Sequence, residues 1–251
     1  MCFDHDSHPP IEPIAGGAIA HEHLELTASD GNRFAAFRAD AASPSGAGII
    51  ILPDVRGLHL YYEELTLRFA EAGIDAIAID YFGRSAGISD RGEGFDFMPH
   101  VAATTWIGLQ ADVAAAAVHL RAARGVQALY DIGFCFGGRL ALDLGTVSDL
   151  QLDGVIAFYG WPVGAARNDL PAPVDLVDQM ECPVLAIFGG ADPGISADKV
   201  EAFRAALEGA GVDHQVISYP DAPHSFFDRK QEEFTHASAA AWEEVLAFVQ
   251  P

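Results

Sequence analysis

The sequence predicts an α/β fold with a mostly parallel, doubly wound sheet and an antiparallel hairpin at its amino-terminal end. First, strand-like and helix-like segments alternate from residue 48 onward, as they do when helices connect parallel strands. Second, the runs at residues 48–52 and 74–79 are short and rich in isoleucine, which is typical of strands buried on both faces. Third, a turn cluster at residues 29–32 separates two weakly alternating runs, and this pattern predicts the hairpin.

The individual elements follow from the same patterns in chain order. Residues 21–27 and 33–39 are the two arms of the predicted hairpin. Helical spacing predicts a helix over residues 61–72, and an alanine-rich helix over residues 104–124 should end at Gly125. Further strands are expected at residues 128–132, 155–159, 183–188 and 212–219, and further helices at residues 138–144, 199–209 and 236–249.

The chain shows no linker and no internal repeat that would divide these elements. We therefore expect one domain over residues 1–251, which is long enough to bury a full core. The first residues are polar and rich in histidine and proline, and residues 1–17 are predicted to be a flexible tail.

Composition limits the partners that the protein can have. Fourteen Lys and Arg against 36 Asp and Glu give a net charge of −22, which repels nucleic acid and anionic membrane surfaces. No apolar run approaches the length of a membrane span, and no secretory signal is expected. Cys2, Cys135 and Cys182 are too few for a disulfide framework, which indicates a reducing cytoplasm. A small molecule is the expected partner, and the protein is expected to be a monomer or a homodimer.

A Gly-x-Cys-x-Gly pentapeptide at residues 133–137 lies between a predicted strand and a predicted helix. This is the pattern of a nucleophile elbow, in which a sharp turn presents its central side chain, here Cys135, at the edge of the sheet. On the pentapeptide alone, a glycine-rich turn with a buried structural cysteine is an equal alternative.

Two further residues follow predicted strands in the expected order. Asp192 comes after the run at residues 183–188 and a glycine turn, and His224 comes after the run at residues 215–219. Separately, they could be a capping carboxylate and a surface histidine. Nucleophile, acid and histidine is nevertheless the chain order of the α/β-hydrolase triad, and ligands of parallel sheets bind at the carboxyl ends of the strands. The sequence therefore predicts the α/β-hydrolase fold with a triad of Cys135, Asp192 and His224.

The three side chains have complementary roles in nucleophilic catalysis. A thiol with a pKa of about 8.5 is mostly protonated at neutral pH, so Cys135 needs a base, and His224 is the candidate. Asp192 would fix the tautomer of the imidazole and stabilise its charged form. The N–H of Phe136 is expected to form half of an oxyanion hole, and the loop at residues 53–57 should supply the other half.

As a set, these motifs resemble the dienelactone hydrolases, also called carboxymethylenebutenolidases. The resemblance extends from about residue 48 to the carboxyl terminus and rests on GFCFGG, GGAD, APHSF and IDYFGR. It implies that Cys135, Asp192 and His224 hydrolyse an enol-lactone through a thiolester intermediate, without a metal or cofactor. It also implies that the N–H of Val55 completes the oxyanion hole.

The substrate-binding positions match the family in part. The resemblance implies that Arg84, in the loop after the run at residues 74–79, binds a substrate carboxylate, although a solvated surface arginine is the alternative. A second family arginine, four residues after the histidine, is here Asp228, followed by Arg229. In the family, a glutamate at the position of Asp54 contacts the resting thiol. The side chain of Asp54 is shorter by one C–C bond and reaches about 1.5 Å less. Arg56 beside it is interpreted equally as a substrate contact or as an ion pair with Asp54.

Three hypotheses follow from the sequence. The first is a cysteine hydrolase of a small ester, lactone or thioester that carries an anionic group. The second is a general carboxylesterase or thioesterase of the same fold, with no lactone preference. The third is a non-catalytic binding module whose thiol reports oxidation. Metal binding by His5, His8, His21 and His23 is not expected, because no Cys or Glu spacing completes a site.

Overall fold

The computed structural model describes residues 3–89 and 91–249 of the chain. Within these residues, eight strands form one sheet: β1 (Ala18–Thr27), β2 (Arg33–Ala41), β3 (Ala47–Leu52), β4 (Asp75–Ile79), β5 (Ala128–Phe134), β6 (Gly154–Phe158), β7 (Val184–Gly189) and β8 (His214–Tyr219). Their spatial order is β1-β2-β4-β3-β5-β6-β7-β8. Strands β3 to β8 are parallel to one another, whereas β1 pairs antiparallel with β2 and β2 pairs antiparallel with β4. The predicted parallel sheet with an antiparallel amino-terminal hairpin is confirmed.

The helices connect the strands on both faces of the sheet. They are α1 (Leu60–Glu71), α2 (Gly83–Ala86), α3 (Phe97–Ala103), α4 (Trp106–Arg124), α5 (Phe136–Leu144), α6 (Ala197–Ala210) and α7 (Thr235–Phe248). Helix α4 starts at Thr105, whose side chain accepts a hydrogen bond from the N–H of Gly108, and it ends at Gly125 with φ 66°. Among the described residues, no single helix has the length and apolar composition to cross a membrane. Helices α3 and α4 have this length and composition only when they are taken together, and a bend of 97° separates them.

Strand β3 illustrates how the sequence pattern builds the two-sided core. Ile49 and Ile51 lie in one buried cluster with residues of α1, α6 and α7, whereas Ile50 and Leu52 lie in a second cluster with residues of α4. Successive side chains of a strand point to opposite faces, so a continuous apolar run serves both layers. This geometry leaves the carboxyl ends of the central strands as the edge on which polar side chains can meet.

The amino-terminal segment, defined as residues 3–8, differs from the predicted flexible tail. The side chain of Phe3 is 2% exposed, and its backbone N–H donates to the Asp54 carboxylate over 2.9 Å. The N–H of His8 donates to Asp228, and the carbonyl of His8 accepts from the N–H of Arg229. Residues that are distant in sequence therefore hold this segment in place, and the polar composition of the segment did not predict these contacts. Cys2 lies outside the described residues.

Candidate active site

Cys135 occupies a strained turn between β5 and α5. Its φ of 55° and ψ of −109° are unusual for a residue with a side chain, and strain of this kind costs about 1–3 kcal/mol and concentrates at functional sites. A Cβ atom at position 133 would overlap the backbone of Gly137, and one at position 137 would overlap the backbone of Leu52. Both glycines are therefore required by the close approach of β3, β5 and α5. The predicted strand–turn–helix context of Cys135 is present.

Asp192 and His224 are in direct contact at the same edge of the sheet. Asp192 follows β7, His224 follows β8, and His224 Nδ1 lies 2.6 Å from Asp192 Oδ2, with both side chains buried. A carboxylate oxygen only accepts, so Nδ1 carries the proton. Burial opposes the charge of Asp192, but the hydrogen bonds from His224 and from the backbone N–H groups of Gly194 and Ile195 outweigh it and lower the pKa of the carboxyl. The pair fixes the tautomer that leaves Nε2 as the basic nitrogen.

The Nε2 atom of His224 is buried and has no hydrogen-bond partner among the described residues. Catalytic hydrogen bonds are often long before substrate binds, so this geometry is compatible with a base that receives its proton in the complex. The imidazole lies between two aromatic rings, with centroid separations of 4.8 Å to Tyr159 and 4.9 Å to Trp161. Tyr159 in turn lies 6.2 Å from the ring of Phe134, the residue before Cys135. These rings connect the histidine to the elbow.

The loop after β3 contains the second expected oxyanion donor. The hydroxyl of Tyr62 accepts from the N–H of Asp54 over 2.8 Å, and the hydroxyl of Tyr81 donates to the carbonyls of Pro53 and Asp54. These hydrogen bonds anchor the backbone of the loop to α1 through Tyr62 and to the segment after β4 through Tyr81. Phe136, the other expected donor, is the first residue of α5, where backbone N–H groups have no partner inside the helix.

Asp54 itself is buried and holds two backbone groups. Its Oδ2 accepts from the N–H of Phe3 over 2.9 Å, and its Oδ1 accepts from the N–H of Arg56 over 2.8 Å. Burial raises the pKa of this carboxyl to about 6, although these hydrogen bonds lower it. Arg56 therefore contacts Asp54 through its backbone, while its guanidinium lies 2.8 Å from Asp4.

Arg84 has a different environment from the one expected for a substrate ligand. Its guanidinium binds the fully buried Asp112, with Nη2 to Oδ1 at 2.8 Å, the carboxylate of Asp30 and the carbonyl of Gly108. Asp112 accepts a further hydrogen bond from Asn32. The guanidinium thus joins the β1–β2 turn to α4, and the carboxylate-binding role of Arg84 stays a prediction.

The positions after the histidine also face the amino-terminal segment. Asp228 is buried and accepts from the N–H groups of His8 and Lys230. The side chain of Arg229 donates to the carbonyl of Ile11 over 3.3 Å. Both residues therefore bind the amino-terminal part of the chain.

Two cavities have different relations to the triad. A surface cavity of about 460 Å³ lies at the amino ends of β7 and β8, lined by Pro183, His214 and Phe248 among others, opposite the edge that carries the triad. A cavity of about 20 Å³ borders Arg56 of the loop after β3 together with His5, Arg91 and Phe97. Cys135, Asp192 and His224 line neither cavity, so the candidate site is defined by these side chains at the carboxyl ends of the strands. No cluster of three or more His, Cys, Asp or Glu side chains in residues 3–89 and 91–249 could hold a metal ion.

Sequence reasoning missed three residues that border this region. Tyr159 packs on His224, Phe3 packs on the ring of Tyr61, and Arg91 lies over the ring of Phe95 while it binds Asp80. The position of Tyr159 directly after β6, at the shared edge, was an available signal. Phe3 had no such signal, since one aromatic residue in a polar segment has no periodicity.

The sheet, the strained elbow and the Asp–His pair define an α/β-hydrolase. A model of the dienelactone hydrolase family matches residues 34–251, and the chain belongs to this family. The expected family and its hydrolase class are thereby confirmed.

Individual relatives agree with this assignment. The chain is 30% identical over 258 residues to a "Putative carboxymethylenebutenolidase" of Escherichia coli, covering 95% of this chain and 92% of the relative. It is 25% identical over 256 residues to a carboxymethylenebutenolidase of Rhodococcus opacus, covering 100% and 96%. Among solved structures, a "Putative Dienelactone Hydrolase" from Klebsiella pneumoniae has a TM-score of 0.78 at 28% identity, covering 92% of this chain and 99% of that one.

Proposed function

We propose that this protein hydrolyses small carboxylic esters or enol-lactones that carry an anionic group, with Cys135 as the nucleophile and a thiolester as the intermediate. The observation that carries the proposal is the buried Asp192–His224 pair, whose basic Nε2 has no hydrogen bond among the described residues, at the same edge of the sheet as the strained Cys135 turn. Membership of the dienelactone hydrolase family supports hydrolysis of small esters and lactones.

The proposed reaction has two halves. Cys135 transfers its proton to His224 Nε2 and its sulfur attacks the carbonyl carbon, while the N–H groups of Val55 and Phe136 stabilise the oxyanion. The C–O bond then breaks, and the leaving oxygen takes the proton from His224. In the second half, His224 removes a proton from water, the hydroxide attacks the thiolester, and Cys135 leaves as thiolate and recovers its proton. Asp192 stabilises the imidazolium in both halves.

Arg56 is the proposed contact for the anionic group of the substrate. Its guanidinium binds one exposed carboxylate, Asp4, and its Nε is buried without a hydrogen-bond partner in the described part of the chain. Arg suits carboxylate recognition because its planar fork can donate two parallel hydrogen bonds. We also propose a cytoplasmic location, where a thiol nucleophile stays reduced.

The test compares the two buried cysteines on a panel of p-nitrophenyl esters. Cys135→Ala should lower kcat/KM by at least about 10³-fold, as loss of a triad nucleophile does, whereas Cys182→Ala should change it by less than about threefold. Cys182 is a matched control because it is also buried, and burial raises the pKa of its thiol to about 12. Mass spectrometry of the enzyme quenched during turnover should find the acyl group on Cys135. Full activity of Cys135→Ala would refute the proposal.

The alternative functions predict different results in the same assays. A general carboxylesterase or thioesterase would hydrolyse neutral and anionic esters with similar kcat/KM. A thiol sensor would react rapidly with iodoacetamide at Cys135 and release no p-nitrophenol.

A further inference from the structure

The amino-terminal segment places an aromatic ring among the side chains of the candidate site. The ring of Phe3 stacks on that of Tyr61 at 3.8 Å and lies 5.8 Å from Phe134 and 6.3 Å from Tyr159. Phe134 precedes the nucleophile, and Tyr159 packs on the catalytic histidine. Phe3 therefore packs in the buried cluster that also contains Phe134, Cys135 and Tyr159.

The next residue places a carboxylate on the proposed anion-binding arginine. Asp4 Oδ1 lies 2.8 Å from Arg56 Nη2, and the Asp4 side chain is 63% exposed. The small cavity beside Arg56 is bordered by His5 of the same segment. An apolar ring followed by a carboxylate on Arg56 has the same chemistry as the acyl part of the proposed substrate.

The segment also holds the oxyanion loop through its backbone. The N–H of Phe3 donates to Asp54, and Asp54 accepts in turn from the N–H of Arg56, the residue after Val55. A ligand that removes Phe3 consequently changes the surroundings of the loop that carries a proposed oxyanion donor.

The remaining contacts of the segment are of a kind that a ligand can replace. Asp6 Oδ1 lies 2.6 Å from Lys230 Nζ, and His8 Nδ1 lies 2.8 Å from Glu64 Oε2. All four side chains are partly or largely exposed, and exposed ion pairs stabilise little because water and salt compete for them. Substrate binding would also have to replace the burial of Phe3 and the backbone hydrogen bonds of His8 with Asp228 and Arg229.

We infer that residues 3–8 occupy the substrate's place in the resting enzyme, with Phe3 in the position of an apolar part of the acyl group and Asp4 in the position of its carboxylate. The inference rests on the proposed function and names its substrate class: esters whose acyl part joins an aromatic ring or apolar chain to a carboxylate. The segment competes with such a substrate, so it raises KM and takes no part in the chemical step.

The first experiment measures two matched esters, p-nitrophenyl benzoate and mono-p-nitrophenyl terephthalate, with full-length variants. Asp4→Asn should lower KM about threefold for the terephthalate and leave KM for the benzoate unchanged, because it removes the competitor for Arg56. The double variant Phe3→Ala/Asp4→Asn should lower KM about tenfold for the terephthalate and less for the benzoate, with kcat unchanged. Glu201→Gln, which breaks an exposed ion pair on α6, is the control and should change neither constant.

The second experiment follows the segment directly and does not depend on turnover or on the fold of the double variant. In Cys135→Ala, mono-p-nitrophenyl terephthalate should speed amide hydrogen exchange in residues 3–8 by about tenfold, since binding shifts the segment to its displaced state. Unchanged or slower exchange with the ester bound would overturn the inference, as would an unchanged or higher KM of Asp4→Asn for the terephthalate. If wild-type enzyme hydrolyses both esters through Cys135 but one of these contrary results is found, the inference fails and the proposed function stands. If neither ester is hydrolysed, the proposed function fails.

Discussion

The segments that follow β3 and β4 each carry an arginine at the carboxyl edge of the sheet, and the two guanidinium groups are held in different ways. Arg84, after β4, binds the fully buried Asp112, Asp30 and the carbonyl of Gly108. Arg56, after β3, binds Asp4, which belongs to the amino-terminal segment and is 63% exposed. The first arginine is part of the domain's internal packing, whereas the second is held by a group that can leave.

This difference shows that the position of an arginine at the edge of the sheet does not determine whether its guanidinium can bind a substrate carboxylate. A guanidinium has five N–H donors in a fixed fork, and a substrate carboxylate needs two of them unoccupied or easily released. At Arg84, two carboxylates and a carbonyl already accept from the fork. At Arg56, the exchange of Asp4 for a substrate carboxylate replaces one ion pair with another. We therefore propose that Arg84, which matches the family position, has a structural role and that Arg56 is the substrate ligand.

The largest effect should come from removing the structural arginine. Arg84→Ala leaves the buried Asp112 with Asn32 as its remaining side-chain donor among those that the structure describes, and breaking such a pair should lower the free energy of unfolding by about 3 kcal/mol. Urea denaturation measures this change. The ratio of kcat/KM for anionic and neutral esters should stay as in the wild type in the folded fraction. A stable Arg84→Ala variant that loses this ratio would reverse the assignment of the two arginines.

The second effect concerns the carboxyl group of the β3 loop and depends on pH. The folded-state pKa of Asp54, about 6, lies above its ordinary value of 3.8, so the folded protein keeps a proton that the unfolded chain has lost. Between these values, stability attributable to Asp54 is lost as pH rises, by up to about 3 kcal/mol. Below pH 3.8 both states are protonated, and above pH 6 the full penalty applies.

Asp54→Asn removes this dependence while it keeps an oxygen that can accept from Phe3. The free energy of unfolding of the variant, minus that of the wild type, should therefore increase between about pH 4 and pH 6 and then stay constant. Urea titrations at pH 4, 5, 6 and 7 measure the difference. A difference that is constant over this range would show that Asp54 has an ordinary pKa.

The third effect is on substrate affinity. Arg56→Ala should raise KM for mono-p-nitrophenyl terephthalate about tenfold, equivalent to about 1.4 kcal/mol, and change KM for p-nitrophenyl benzoate by less than about twofold. Its thermal midpoint should stay close to that of the wild type, because Asp4, the partner in the lost ion pair, is exposed. Arg56→Lys should recover part of the affinity. Equal effects on both esters would exclude a specific anion contact.

The sheet and the elbow could be predicted from the sequence because they depend on local patterns. Buried runs such as β3 are continuous apolar segments, and the glycines on both sides of Cys135 are required by backbone contacts that leave no room for a Cβ. Asp192 and His224 were identified because each follows a strand at one edge, and the parallel sheet alone brings them to within a hydrogen bond.

The surroundings of the site could not be predicted in this way, because they depend on contacts between distant segments. No periodic pattern links residue 3 to residue 54 or residue 84 to residue 112. A polar amino-terminal sequence also has the same composition whether or not it packs on the rest of the protein. The IDYFGR motif predicted that Arg84 lies at the edge of the sheet. It did not predict that Asp30 and Asp112 bind the guanidinium of Arg84.

The smallest effect tests which of these two carboxylates makes Arg84 structural. Asp30 is 46% exposed in the β1–β2 turn, and the hydrogen bond from Arg84 lowers the pKa of its carboxyl. Because exposed pairs are screened by water and salt, Asp30→Asn should lower the thermal midpoint by only about 1–2 °C, and the shift should vanish in high salt. Asp112→Asn, at 0% exposure, is the matched comparison and should cost several times more. Equal shifts for the two variants would mean that Arg84 is held at the surface, where a substrate carboxylate could displace Asp30, and the contrast with Arg56 would then disappear.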